Sequence, residues 1–341
     1  MFNLRNSKQF YSGSWEWAEV SFRGIKYRFR IQRDDLIDPV VTGNKLRKLW
    51  GYDQKSGWIR HNGILTVGGA YSNHLVAVAA FYSNPRRRVV GIVRGEPTSD
   101  SKHLQMCRDY GMELHFISRA DYKLKYKYIY ENFVTEDFYP MVIPEGGRGA
   151  FGMLGFDYAV AGWGDFVPET VVHASATGTT AAGLFKYVRE RGLKDTRIEA
   201  IAVLKNDLEQ KRNIQKIMRG DDPYDPKGNM YFEQENLEKE RIERENYGDE
   251  FYEERKKWDE EDEVKTFAFY YNIEINTDYI FGGYAKSTPE LREFVDSAKA
   301  ETGIHFDSIY TGKALYAMLE GFESGRLNPD TTLFYHTGGI G

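Results

Sequence analysis

Short runs of β-branched and other apolar residues recur along the chain at Ile64–Val67, Val89–Val93, Glu113–Ile117, Met141–Ile143, Thr170–His173, Ile198–Val203, Thr266–Tyr271 and Thr332–His336. Each reads as a short strand. Between several of them lie amphipathic or alanine-rich stretches, Leu75–Tyr82, Ser101–Tyr110, Ala181–Arg191 and Lys313–Glu323, which read as helices. The alternation predicts an α/β fold of open, mostly parallel sheets with helices on both faces, right-handed crossovers, and ligands at the carboxyl ends of strands. Chemistry is therefore expected in strand-to-helix turns.

The pattern breaks between about residues 219 and 264, where Asn236-Leu237-Glu238-Lys239-Glu240-Arg241-Ile242-Glu243-Arg244-Glu245 and Asp259-Glu260-Glu261-Asp262-Glu263 read as a charged insertion. Alternating charge of this kind marks a solvated helix laced with i,i+4 pairs, and less often an acidic docking surface. A chain of 341 residues exceeds the usual size of one core and predicts two lobes with a cleft. The net charge of -5 and the lack of a basic cluster argue against nucleic acid and anionic membranes as partners. Cys107 is the only cysteine, so no intrachain disulfide or thiolate metal cluster can form. With no run of about 18 apolar residues and no signal-like start, the expected setting is cytoplasmic.

Three turns carry candidate chemistry. Gly68-Gly69-Ala70-Tyr71-Ser72-Asn73-His74 leads from a strand into a helix and offers open N–H groups to a carboxylate, although taken alone the turn reads first as an ordinary N-cap through Ser72 or Asn73. Ser175-Ala176-Thr177-Gly178-Thr179-Thr180, also at a helix start, makes a cup of hydroxyls and amides for a phosphate. It lacks the Gly-Lys-Ser/Thr ending of a nucleoside triphosphate loop, so a monoester fits better. Gly147–Gly152 matches the dinucleotide spacing, but Pro144-Glu145 separates it from its strand, and a turn between lobes is the better reading.

Among many lysines, Lys45 stands in the first turn of a helix that begins after Gly43-Asn44. A positive helix end lowers an amine's pKa, and a neutral amine is what imine formation and proton abstraction need. Viewed alone, such a lysine reads first as a surface residue at a helix start. The seven histidines show no metal-ligand spacing, so no metal is expected, and Tyr71-Ser72 is not the elbow of a serine hydrolase.

In their order along the chain, four segments resemble the 1-aminocyclopropane-1-carboxylate deaminase and D-cysteine desulfhydrase family of pyridoxal 5′-phosphate (PLP) enzymes, of the tryptophan synthase β-like fold type II. They are Arg33-Asp34-Asp35-Leu36 with Gly43–Leu49; Gly68–His74; Ile143-Pro144-Glu145-Gly146-Gly147; and Tyr310-Thr311-Gly312-Lys313 with His336-Thr337-Gly338-Gly339. Gly282-Gly283-Tyr284 and Ser175–Thr180 add weaker similarity. The resemblance implies a large PLP-binding domain of residues 1–48 and 156–341, a small α/β domain of 49–155, and a homodimer. It also implies that Lys45 carries the cofactor as a Schiff base, Asn73 bonds its 3′-oxygen, Ala176, Thr177, Gly178, Thr179 and Thr180 hold its phosphate, and Thr311 faces its pyridine nitrogen.

Ser72, Asn73, His74 and Thr337 would contact a small amino-acid substrate, with Ser72, Tyr284 and Tyr310 joining Lys45 in catalysis. The cyclopropane deaminase pattern has Glu at Thr311 and Leu at Thr337, whereas desulfhydrase-like members carry hydroxyl residues at both. The resemblance therefore points to β-elimination from D-cysteine, giving pyruvate, ammonia and hydrogen sulfide, ahead of cyclopropane ring opening. A non-catalytic binding protein retaining the fold and a nicotinamide-dependent oxidoreductase using Gly147–Gly152 are the other readings, and neither uses all the turns.

Overall fold

The computed structural model describes residues 10, 15–57, 61–97, 101–203, 207–220, 241, 244, 245, 253, 267, 270–283 and 286–339. Two sheets organise them. The chain opens with an antiparallel hairpin, β1 (Trp15–Phe22) and β2 (Ile25–Gln32), joined through Arg23 and Gly24 at φ 48° and 85°. A two-residue loop with both φ positive matches the twist of its strands. In β1, Ala18, Val20 and Phe22 face the core at every second position.

Helix α1 (Asn44–Ser56) then precedes β3 (Gly63–Gly69), α2 (Asn73–Tyr82), β4 (Arg88–Arg94), α3 (Lys102–Asp109), β5 (Glu113–Ile117), α4 (Lys125–Phe133) and β6 (Met141–Ile143). These strands form a four-stranded parallel sheet in the order β5-β4-β3-β6. Short helices α5 (Ala150–Met153) and α6 (Phe156–Ala161) lead back to β7 (Thr170–Ser175), α7 (Thr179–Glu190), β8 (Arg197–Ala202) and α8 (Asp207–Arg219). The described chain resumes with β9 (Ile273–Asn276), α9 (Pro289–Thr302), α10 (Thr311–Glu323) and β10 (Thr332–Tyr335). The second sheet has the order β1-β2-β10-β7-β8-β9, parallel except for the hairpin. Separate apolar clusters cover the two faces of each sheet, as the strand-helix alternation predicts.

The expected strand over Thr266–Tyr271 is contradicted by its described residues. Residues 267 and 270 are helical, and the Tyr271 N–H donates to the Phe267 carbonyl at 2.9 Å, a helical bond. Phe267 and Tyr271 stand four apart on one helical face, against the cluster around Phe185, and that spacing decides the local structure. The strand in this region is β9, paired with β8. Most of the charged stretch at 219–264 lies outside the described residues. Within it, Arg241 and Glu245 pair at 3.0 Å one turn apart, the solvated i,i+4 arrangement. No described helix is long and apolar enough to cross a membrane.

A buried polar cluster sets the register of α1. The Arg47 guanidinium is fully buried and grips Asp34 through Nε and through Nη2 at 2.7 Å, while Nη1 donates to the carbonyls of Phe10 (3.2 Å) and Gly155 (3.3 Å). The Tyr335 hydroxyl on β10 also donates to Asp34, and the Gln32 amide on β2 reaches it at 3.2 Å. A buried charge needs such pairing, so the helix that carries Lys45 is tied at once to β2, β10 and the start of α6.

Candidate active site

The carboxyl ends of β3, β4 and β7 and the segment after β5 line one cavity of about 590 Å³. Helix α1 enters it by its first turn. Gly43 precedes the helix at φ 64°, and a Cβ there would lie 2.0 Å from the Thr337 carbonyl oxygen, so a glycine lets the Thr337-Gly338 loop cross the helix start. Asn44 fastens that crossing, its N–H donating to the same carbonyl (3.1 Å) and its side-chain amide to Thr180 Oγ1 (3.0 Å). Lys45 then lines the cavity with its Nζ 3.1 Å from Asn44 Oδ1. Burial pushes the Lys45 amine down to about 8, against the opposing pull of the Asp307 carboxylate. The direction is the expected one; its largest cause is burial, where the sequence pointed to the helix end.

Lys48, one turn further along α1, also lines the cavity, and its Nζ donates to the Gly146 carbonyl at 3.2 Å. Burial and the nearby Lys45 charge push its amine well down. On the facing wall, β7 runs through Ala176, Thr177 and Gly178 into α7. Gly178 is left-handed (φ 81°) and gives the helix no side-chain cap, which leaves the first N–H groups free of one. The Thr179 hydroxyl is buried without a partner among the described residues. The uncapped helix start, the Thr177 and Thr180 side chains and the Lys48 amine, which all line the cavity, form a set that fits a phosphate monoester.

In the turn after β3, Ser72 caps α2 by accepting the Leu75 N–H at 3.3 Å, and its own O–H has no acceptor among the described residues. Thr66 donates its hydroxyl proton to the Ile143 carbonyl (2.7 Å), so the 2.8 Å contact with His74 Nε2 requires that nitrogen to carry the proton. Burial, with the charges of Lys45 and Lys48, holds His74 neutral by pushing its pKa well down. Asn73 Oδ1 accepts from His103 Nε2 at 2.9 Å, which leaves the Asn73 amide N–H groups for the cavity. Among the described residues no group of three or more His, Cys, Asp or Glu side chains is placed to hold a metal ion.

No family model matches the chain. It is 28% identical to a Pyrococcus horikoshii protein provisionally named 1-aminocyclopropane-1-carboxylate deaminase, over 91% of this chain and 84% of that one. It is 24% identical to D-cysteine desulfhydrase of Yersinia enterocolitica, over 91% of this chain and 86% of that one. The chain is a relative of these deaminases and desulfhydrases. The crystal structure of a 1-aminocyclopropane-1-carboxylate deaminase homologue superposes with a TM-score of 0.70 at 23% identity, covering 92% of this chain and 85% of that one. The fold is that of the fold type II PLP enzymes.

Of the residues that the resemblance to the deaminases and desulfhydrases singles out, the cavity brings together Lys45, Ser72, Asn73, His74, Ala176, Thr177, Gly178, Thr180, Tyr310 and Thr337. Thr179 is buried behind this wall. Tyr284 lies outside the described residues; the Gly283 carbonyl beside it is held by the buried Lys313 Nζ at 3.0 Å, which accounts for a lysine in the Tyr310–Lys313 motif. Thr311 does not line the cavity. It is buried in the first turn of α10, where its hydroxyl donates to Asp307 Oδ2 at 2.8 Å and accepts the Asp307 N–H at 2.9 Å. Asp307 itself accepts the N–H groups of Ile309, Tyr310 and Thr311, so this carboxylate builds the turn as well as acting on Lys45. The Gly147–Gly152 run forms a tight turn and the short α5, not a strand feeding a long helix.

Sequence reasoning missed Asn44, Lys48, His103 and Asp307 as site residues. Lys48 had a signal, since residues three apart share a helix face. Asp307, four residues before Thr311, carried the mark of a side chain folding onto the backbone ahead of a helix.

Proposed function

We propose that this chain is a PLP-dependent lyase that acts on a small amino acid by β-elimination, of the D-cysteine desulfhydrase type. The observation that carries the reading is a buried Lys45 amine, lowered to about 8, in one cavity with an uncapped helix start suited to phosphate. The activities of the relatives named above supply the reaction class. The α7 amides, Thr180 and Lys48 would hold the phosphate, the Asn73 amide would meet the 3′-oxygen, and Lys45 would carry the covalent link. Bound there, PLP supplies an electron sink for the charge left when Cα loses its proton.

The rest is done by this chain's side chains. The Ser72 O–H, with the backbone of its turn, takes the substrate carboxylate at the end of β3. The Lys45 amine, lowered to about 8, is neutral in a useful fraction near neutral pH and would take the Cα proton. Tyr310 lines the same cavity and would orient the substrate. Loss of the sulfur group and addition of water then give pyruvate, ammonia and hydrogen sulfide. The threonines at 311 and 337 follow the desulfhydrase-like pattern, and Thr311, buried on Asp307 outside the cavity lining, brings no carboxylate of its own to the cavity where the cyclopropane deaminase pattern has Glu. The resemblance also carries a homodimer in the cytoplasm, which sedimentation of the purified protein tests for the dimer.

The deciding experiment is an absorbance spectrum of purified protein, followed by 2-oxoacid assays with D-cysteine, L-cysteine and 1-aminocyclopropane-1-carboxylate. A yellow protein that releases pyruvate from cysteine supports the proposal. A colourless protein that binds no added PLP, or 2-oxobutanoate from the cyclopropane acid with no pyruvate from either cysteine, overturns it.

A further inference from the structure

The small sheet presents its carboxyl edge to the cavity as a graded row. Gly69 at the end of β3 pairs with Arg94 at the end of β4, Arg94 pairs with Ile117 at the end of β5, and Arg119 follows two residues later. Arg94 and Arg119 both line the cavity. A Cβ on Gly69 would stand 3.9 Å from Arg94 Nη2, so the guanidinium lies beside the turn assigned above to the substrate carboxylate. The Tyr122 ring, 5.5 Å from the Arg94 guanidinium carbon, flanks it. Adjacent strands are about 4.8 Å apart, which puts the β4 and β5 edges about 5 and about 10 Å from that turn.

Two arginines, both exposed, thus line the cavity from the small sheet, whereas the helix start suited to phosphate follows β7 of the large sheet. The acids on the cavity wall are Glu145, which together with burial raises the Tyr122 phenol, and Glu209 in the first turn of α8 behind the β7 loop. Neither pairs with Arg94 or Arg119, and neither arginine has an ion-pair partner among the described residues. Free cysteine, whose leaving group is hydrosulfide, offers these guanidiniums nothing beyond its carboxylate.

We propose that Arg94 and Arg119 form an anion subsite, and that the preferred substrate is a β-substituted alanine whose leaving group carries a second acid. The inference rests on the β-elimination reading and names its substrate class. The reaction keeps its balance: the Cα–H and Cβ–X bonds break, water enters, and pyruvate, ammonia and HX leave, with X bearing the acid.

Two thioethers of matched shape test it: S-carboxymethylcysteine, which ends in a carboxylate, and S-ethylcysteine, which ends in a methyl. Each is assayed as both enantiomers for pyruvate release, beside D- and L-cysteine. The native protein should show kcat/KM about 10- to 100-fold higher for the acid, the range of a charged hydrogen bond. Arg94→Gln and Arg119→Gln should each collapse that ratio through KM, and added salt should shrink it in the native protein. A native ratio near one while cysteine is cleaved overturns the anion subsite alone. A native preference that persists in the double variant overturns the arginines as its source. Absence of pyruvate from every compound overturns the subsite and the β-elimination reading together.

Discussion

An amine lowered to about 8 from an ordinary 10.5 changes how fast this protein would capture PLP under the proposed function, and the pH profile of that capture reads the Lys45 environment directly. At pH 7 an amine with a pKa of 8 is about 9% neutral and one at 10.5 about 0.03% neutral, so burial raises the reactive fraction about 300-fold. Protein stripped of PLP with hydroxylamine is mixed with PLP, and the growth of the imine absorbance is followed at a series of pH values. The rate should climb about tenfold per pH unit below pH 8 and level off above it. Asp307→Asn sharpens the test, because the carboxylate is the group that pulls the Lys45 pKa upward. Its removal favours the neutral amine, so the midpoint should move below 8, while the amide oxygen still accepts the N–H groups of Ile309 and Tyr310. A rate that keeps rising past about pH 10, or a midpoint that moves upward in Asp307→Asn, refutes burial as the source of the reactive amine.

Lys48→Met should weaken PLP binding about 10- to 100-fold in equilibrium titration, by removing a hydrogen-bond donor from the phosphate site, and an unchanged affinity would take Lys48 out of that site. His103→Ala should lower PLP affinity by freeing the Asn73 amide to turn, whereas His103→Gln, which keeps a donor for Asn73 Oδ1, should restore most of it; equal losses in both variants would count against the positioning role. Arg47→Met leaves the Asp34 carboxylate buried without its partner and should cost about 3–5 kcal/mol in urea unfolding, and a loss under about 1 kcal/mol would contradict the tie between α1 and the large sheet.

Most strands were legible because each is a short apolar run closed by a turn, and the run at Glu113–Ile117 matches β5 residue for residue. The hairpin of β1 and β2 was written in the alternation of Ala18, Val20 and Phe22 with Trp17, Glu19 and Ser21, yet Arg23-Gly24 lacks the Asn-Gly signal that announces such turns. The apolar stretch at 266–271 misled because Phe and Tyr suit strands, and only the fold shows that Phe267 and Tyr271 share a helical face. At the site, Lys45, Ser72 and the Ser175–Thr180 cup announced themselves through glycine and hydroxyl residues at helix starts. What the sequence could not show is convergence across distance: Asp307 near Lys45, His103 on Asn73, and the two arginines at neighbouring strand ends. Those meetings are made by sheet order, which no local pattern encodes.

The central claim is that PLP is carried on Lys45, and one measurement meets it head on. PLP-loaded native protein is reduced with borohydride, digested, and its peptides are mapped by mass spectrometry. The account predicts the phosphopyridoxyl group on the peptide containing Lys45, fixed to that side chain, and its loss in Lys45→Ala. A label on Lys48 or on any other lysine, with Lys45 unmodified, would contradict it.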